Sequence, residues 1–218
     1  QDRFMQHALD LAAQALGHTA PNPMVGACLV LGEQIVADGF HRQYGQMHAE
    51  AAAIHALQDK SILPKCTLYV TLEPCSHQGK TPPCSDLIIR SGIKKVVIGS
   101  TDTNSHVSGK GASLLRKAGI EVIEGVLEQE CRSLNKRFFT YHEKQRPYII
   151  LKWAMTNDGF IDGTDLTPLP ISGREAQILN HRWRSEEQAI LVGTKTAIKD
   201  NPQLNSRLVK GKDPLRVL

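Results

Sequence analysis

The sequence predicts an α/β protein, a layered sheet built from strands that alternate with helices. Three observations lead there. Short apolar runs rich in β-branched residues, such as Thr67-Leu68-Tyr69-Val70-Thr71-Leu72 and Lys95-Val96-Val97-Ile98-Gly99, have the length and composition of buried strands. Other segments, such as 3–16, repeat their apolar residues at helical spacing. The two kinds of segment follow one another in alternation, which is the pattern of an α/β sheet covered by helices.

Taken in order, residues 3–16 predict a helix whose apolar face holds Phe4, Ala8, Leu9, Leu11, Ala12, Ala15 and Leu16, with Gly17 as its stop. Residues 25–31 and 34–39 predict a hairpin around Gly32-Glu33. The run Ala51-Ala52-Ala53-Ile54-His55-Ala56-Leu57 is made of strong helix formers. After the strand at 67–72, Pro82-Pro83 and Cys84 open a helix through Asp86-Leu87-Ile88-Ile89-Arg90. A strand at 95–99, a helix at 111–118, a strand at 120–123 and one helix over 126–141 complete the first unit.

Gln145-Arg146-Pro147 breaks that helix, so the spacing predicts one domain over 1–145 and a second over 146–218. The second opens on a strand at 148–154, then a tight turn at Asp158-Gly159. A helix at 174–184, a strand at 189–193, a short helix at 194–199 and a final strand at 214–218 follow. A complete α/β domain usually needs on the order of 100 residues. Fewer follow the predicted boundary, so the second domain is expected to be incomplete at its C-terminal end.

The 218 residues carry a formal charge of +4, too mild to select an acidic macromolecule over a small anionic substrate. No Lys/Arg block forms a nucleic-acid arm, and 5% aromatic residues leave little for base stacking. No apolar run is long enough for a bilayer, and Gln1-Asp2-Arg3-Phe4-Met5 is not a signal peptide, so no membrane partner is expected. Of the five cysteines, Cys28, Cys66 and Cys131 lie in apolar or helical contexts and read as buried free thiols. A reducing cytoplasm is the natural setting.

Chemistry is concentrated in His48-Ala49-Glu50, Pro74-Cys75 and Cys84. One imidazole and two thiolates suit Zn2+ and leave a fourth tetrahedral position for water, whose pKa the metal lowers. Glu50 is not needed as a ligand and is free to move protons. His48 and Glu50 are predicted in the first turn of a helix, at a pocket mouth. Cys84 is predicted at a helix N-terminus, where the dipole favours a thiolate. This is the donor set of the zinc nucleobase deaminases, in which the two cysteines usually stand three residues apart; here Ser76 to Pro83 separate them. A purely structural zinc would use four protein ligands, and no fourth is obvious in the sequence, although His77 is close.

Other polar residues surround these ligands in the sequence. Asn22 stands between two prolines that stiffen its loop, and an amide there both donates and accepts as a pyrimidine edge requires; the alternative is an ordinary turn residue. His41 follows a strand and is either a substrate contact or a lone surface histidine. His77 and Lys80 lie between the cysteine ligands and are candidates for a ribose phosphate. Asp102 and Asn104 follow a strand end, where open α/β sheets place ligands; loop capping is their alternative.

The insert Thr71-Leu72-Glu73-Pro74-Cys75-Ser76-His77-Gln78-Gly79-Lys80-Thr81-Pro82-Pro83-Cys84 closely resembles the deaminase domain of the bifunctional deaminase/reductase family of riboflavin biosynthesis. Pro21-Asn22-Pro23-Met24-Val25-Gly26, Gly39-Phe40-His41 and His48-Ala49-Glu50 match the same family in order. The resemblance implies a cytidine-deaminase-like three-layer α/β/α domain followed by the start of a dihydrofolate-reductase-like domain. It implies zinc-dependent deamination of 2,5-diamino-6-(5-phosphoribosylamino)pyrimidin-4(3H)-one, then reduction of the ribosyl group by NADPH. It assigns the zinc to His48, Cys75 and Cys84, proton transfer to Glu50, and ribose and phosphate contacts to Asp102 and Asn104. It also implies a homo-oligomer, dimer or tetramer.

In the second half the matching residues are Leu151-Lys152-Trp153-Ala154, Asp158-Gly159, Val192-Gly193-Thr194-Lys195-Thr196, Asp200-Asn201-Pro202-Gln203-Leu204 and Arg207. The resemblance implies NADPH contacts at Ala154, Thr196 and Asp200, and substrate contacts at Lys152, Arg184, Leu204 and Arg207. Guanidinium forks at Arg184 and Arg207 suit a phosphate, with solvated surface charge as the alternative. Leu166-Thr167-Pro168-Leu169-Pro170-Ile171-Ser172 departs from the family pattern, with Pro168 and Pro170 where it carries a hydrogen-bonding serine and an aromatic.

Overall fold

In a computed structural model that describes residues 1–77, 82–103, 109–163 and 169–218, the chain forms two compact units, Gln1–Tyr148 and Ile149–Leu218. The first is built on a five-stranded mixed sheet. Its strands are β1 (Gly26–Leu31), β2 (Gln34–Phe40), β3 (Thr67–Leu72), β4 (Lys95–Ser100) and β5 (Glu121–Glu124), in the order β2-β1-β3-β4-β5. β1 runs antiparallel to both β2 and β3, whereas β3, β4 and β5 are parallel. The α/β class is as the sequence predicts.

Strand alternation sorts the core into two faces. Ala27, Leu29, Leu68, Val70, Val96 and Ile98 point one way. They pack on Ala53 and Ile54 of α2 (Ala49–Ala56), Ile88 of α3 (Cys84–Arg90) and Leu115 of α4 (Lys110–Lys117). Cys28, Val30, Tyr69 and Val97 point the other way, onto Phe4, Met5 and Leu9 of α1 (Asp2–Ala13) and Cys131 of α5 (Glu128–Leu134). The result is an α/β/α sandwich. The helices that carry the candidate ligands share one face.

Close helix–sheet approach is written in two glycines. A Cβ on Gly26 would stand 1.9 Å from the Ala8 carbonyl oxygen of α1, and one on Gly39 would stand 2.7 Å from Ala53 N of α2. Neither separation is sterically possible, so these glycines set how tightly α1 and α2 lie on the sheet.

Two expectations are corrected. The single helix expected over 126–141 is α5 followed by α6 (Lys136–Lys144), with Asn135 between them at φ −101, ψ 26. Asn135 leaves the helical conformation because its buried amide is committed elsewhere: it accepts from Met24 N at 2.8 Å and donates to Met24 O at 2.8 Å. The strand expected over 148–154 belongs to no ladder. A strand needs neighbours for its N–H and C=O groups. The second unit's sheet, among the described residues, pairs only β6 (Ala189–Leu191) with β7 (Leu215–Val217). Ile149, Leu151 and Trp153 are therefore left exposed.

The remaining elements of the second unit are α7 (Arg174–Glu186) and α8 (Thr194–Asp200). The predicted turn at Asp158-Gly159 is present, with Gly159 at φ +89 and Thr156 N donating to Phe160 O at 2.8 Å. Pro168 lies outside the described residues; Pro170 is exposed. No helix among the described residues is long and apolar enough to cross a membrane.

Gly26→Ala is expected to lose about 3 kcal/mol or more of stability, because the added methyl meets a backbone carbonyl that cannot rotate away. Urea unfolding checks this, and an unchanged midpoint would show that α1 is not seated on β1 as described.

Candidate metal centre

Three segments distant in sequence deliver three ligand atoms to one point. His48 is the N-cap of α2, at φ −71, ψ 161, so its ring leaves the helix end while Glu50 falls in the first turn. Cys75 lies just beyond the C-terminal end of β3, and Cys84 is the first residue of α3. The backbone closes the long insert between the cysteines: Cys84 N donates to Cys75 Sγ at 3.3 Å and Ser85 N donates to Cys75 O at 3.1 Å. The spacing, longer than is usual for this donor set, thus returns Cys84 to its partner.

His48 Nδ1 stands 3.5 Å from Cys75 Sγ and 3.4 Å from Cys84 Sγ, and the ligand atoms of all three residues lie within 4.8 Å of one another. A tetrahedral zinc with Zn–S of about 2.3 Å and Zn–N of about 2.0 Å separates its ligands by roughly 3.6 Å, so the donor set and its spacing fit zinc. A hydrogen bond from the Cys84 thiol, followed by that from His48, holds the Cys75 thiol down to about 4. The same bond, joined by burial, pushes Cys84 well up. Hydrogen bonding to Cys75 raises His48.

Glu50 is 3% exposed, so it sits inside the wall rather than at an open mouth as the sequence led us to expect. Burial, then the neighbouring Cys75 charge, pushes its carboxyl up to about 7. A carboxyl of that affinity gives and takes protons near neutrality. It lies at the metal-ligand cluster without being one of its members.

His41 is 2% exposed and is no surface histidine. Its Nδ1 lies 3.0 Å from Met47 O and its Nε2 lies 3.1 Å from Asn22 Nδ2. A carbonyl can only accept, so Nδ1 carries the proton and Nε2 accepts from the Asn22 amide. Burial, opposed in part by the Met47 hydrogen bond, lowers its pKa and keeps the ring neutral, in agreement with that assignment. The ring also meets His48 edge-on, with centroids 5.4 Å apart. The structure thus gathers Asn22, His41 and His48 into one wall, and orients the half-buried Asn22 with its Nδ2 toward His41.

Asp102 is buried just past the end of β4. His77 is exposed beyond Cys75. Lys80 and Asn104 lie outside the described residues. Two residues that carried no expected role hold neighbouring loops. Asn135 pins Met24, and with it the Asn22 loop. Glu73 accepts three backbone N–H groups from the segment after β4 and the start of α4. Both bind backbone atoms, which leave no trace in a single sequence.

In the second unit, Arg184 Nη1 donates to Asn205 O at 2.6 Å and Arg207 Nη1 donates to Asn205 Oδ1 at 2.9 Å, so one asparagine draws the two guanidinium groups together. Burial, then Arg207, lowers the Arg184 pKa. Leu204, at φ +53, lies in the same loop. Thr196 and Asp200 are one turn apart on α8 and share a face. Lys152 is exposed and Ala154 half-buried in the segment outside any ladder.

Residues 1–100 match the cytidine and deoxycytidylate deaminase zinc-binding region, and residues 147–218 match the RibD C-terminal domain. The chain is 48% identical to the riboflavin biosynthesis protein RibD of Actinobacillus pleuropneumoniae, over 99% of this chain and 57% of that one. It is also 48% identical to RibD of Aquifex aeolicus, over 99% of this chain and 60% of that one. Among solved structures, the diaminohydroxyphosphoribosylaminopyrimidine deaminase/5-amino-6-(5-phosphoribosylamino)uracil reductase of Thermotoga maritima superposes with a TM-score of 0.91 at 48% identity, covering 99% of this chain and 61% of that one. The chain spans about three-fifths of the length of these relatives. In order along the chain, it matches the deaminase zinc-binding region and the RibD C-terminal domain, and over this length it is similar to RibD proteins.

Proposed function

We propose that the first unit deaminates 2,5-diamino-6-(5-phosphoribosylamino)pyrimidin-4(3H)-one in riboflavin biosynthesis. The observation that carries this reading is a buried carboxyl, Glu50, set beside three ligand atoms and not among them. A zinc ion held by His48 Nδ1, Cys75 Sγ and Cys84 Sγ would supply Lewis-acid activation of water at its remaining position.

The chain's own residues do the rest. Glu50 takes one proton from water and hands it to a ring nitrogen, then takes the second proton from the added hydroxyl and delivers it to the departing amine as the C–N bond breaks. Its raised affinity suits both directions of transfer. Asn22 donates one amide hydrogen to His41, which leaves Oδ1 and the second N–H for a pyrimidine edge. His41 holds that amide in register and does not contact substrate through a free ring nitrogen, since both nitrogens are engaged. Asp102, with His77, Lys80 and Asn104, takes the ribose phosphate end in this reading.

The second unit, on the same reading, belongs to an NADPH-dependent reductase that converts the ribosyl group to ribityl. Arg184 and Arg207, gathered on Asn205, form a cationic pair suited to the substrate phosphate. Leu204 and Lys152 complete the substrate side, while Thr196, Asp200 and Ala154 take the cofactor. The cofactor brings the hydride, and the protein brings position and charge. Cys28, Cys66 and Cys131, buried and outside any disulfide, support a reducing, cytoplasmic setting. Assembly as a dimer or tetramer belongs to this reading through the resemblance alone.

Two outcomes test the deaminase reading. Cys84→Ala is expected to fall from about one zinc per chain toward none after dialysis, whereas His77→Ala keeps its metal. Metal analysis checks this, and zinc loss in His77→Ala would point to a closed structural site. Glu50→Gln is expected to retain zinc while ammonia release from the diaminopyrimidine ribosyl phosphate falls by about 10²–10⁴-fold. An active Glu50→Gln protein would remove Glu50 from the proton path.

A further inference from the structure

Glu73 is 4% exposed, and among the described residues its carboxylate accepts three backbone N–H groups. Oε2 accepts from Asp102 N at 3.2 Å and from Gly109 N at 2.9 Å; Oε1 accepts from Ala112 N at 3.1 Å. Its own N–H donates to Ser100 O at 2.9 Å, which extends the β3–β4 pairing by one residue beyond the strands. One oxygen thus holds both ends of the segment between Asp102 and Gly109. The other caps α4, whose N-cap Gly109 has no side chain to do so.

The same helix is pressed against the residue that precedes Cys75. A Cβ on Gly111 would lie 2.0 Å from Pro74 O and 3.3 Å from Glu73 Cγ. Glu73 therefore stands where three things meet: the strand end that leads to Cys75, the start of α4, and the backbone of Asp102. Cys75 itself is held independently, by Cys84 N and Ser85 N.

We infer that Glu73 is a positioning residue for deamination, fixing Asp102 and the start of α4 by binding their backbone N–H groups. The inference rests on the substrate reading above. It separates two jobs within one motif: the cysteines hold the metal, and the glutamate two residues before Cys75 sets the substrate side. Only a carboxylate meets the requirement. Glutamine has the same shape but turns an NH2 toward buried N–H donors, and aspartate keeps the acceptors while withdrawing them by one methylene.

The test uses the zinc-loaded full chain as wild type, Glu73→Gln and Glu73→Asp. It measures zinc content, steady-state ammonia release and amide hydrogen exchange. For Glu73→Gln the expected result is a KM about tenfold or more higher with kcat little changed, the signature of lost binding rather than lost chemistry. Zinc content stays at the wild-type level, and the amides of Asp102 and Gly109 exchange faster. Glu73→Asp is expected to lie between wild type and Glu73→Gln in KM. If Glu73→Gln does not fold, the same split is read on Glu73→Asp against wild type. An unchanged KM, loss of zinc, or a fall in kcat alone would overturn the role, as would failure of both variants to fold, which would make Glu73 a core residue only. No ammonia from the wild type would overturn the substrate reading and the inference with it; ammonia from the wild type with unchanged KM in the variants would overturn the inference alone.

Discussion

Three ligand atoms from three separate segments must meet within a few ångströms, and the sheet order makes that meeting possible. β3 is central, with β1 on one side and β4 on the other, and Cys75 lies just beyond its C-terminal end. α2 and α3 pack on the same face of the sheet, so their N-termini bring His48 and Cys84 to that point. The hydrogen bond from Cys84 N to Cys75 Sγ fixes the last degree of freedom. Burying two sulfurs, an imidazole and a carboxyl together is costly unless their charges are shared. A divalent cation is the group that best offsets that cost, and the same crowding is what lifts Glu50 into the range where it can move protons.

Around this centre lies a second set of buried polar groups that bind backbone. Asn135 holds Met24, His41 links Asn22 to Met47, and Glu73 gathers Asp102, Gly109 and Ala112. Each spans two elements that have no covalent reason to stay in register. Together they turn loops into walls. Loops held in this way are where rigid α/β scaffolds put their binding residues.

The cluster of His48, Cys75 and Cys84 was legible in the sequence because its donor set is rare. The strands β3 and β4 were legible because central strands buried on both faces are mostly apolar. The split between α5 and α6 was not, because the residue responsible, Asn135, fits an amphipathic helix pattern and shows its purpose only beside Met24. For His41 the sequence left a surface histidine open beside a substrate contact, and its burial removes the surface alternative. The strand expected over 148–154 has the right composition, but composition supplies no neighbour. In the second unit the exposed Ile149, Leu151, Trp153 and Leu191 show apolar patterning without a partner sheet face among the described residues.

The central claim is a metal held by one imidazole and two thiolates, with its fourth position left to solvent beside Glu50. X-ray absorption at the zinc edge tests it most directly. The account predicts two sulfur neighbours at about 2.3 Å and two lighter neighbours at about 2.0 Å, one of which is replaced when a pyrimidine analogue binds. A shell of four protein ligands that no analogue perturbs would contradict it.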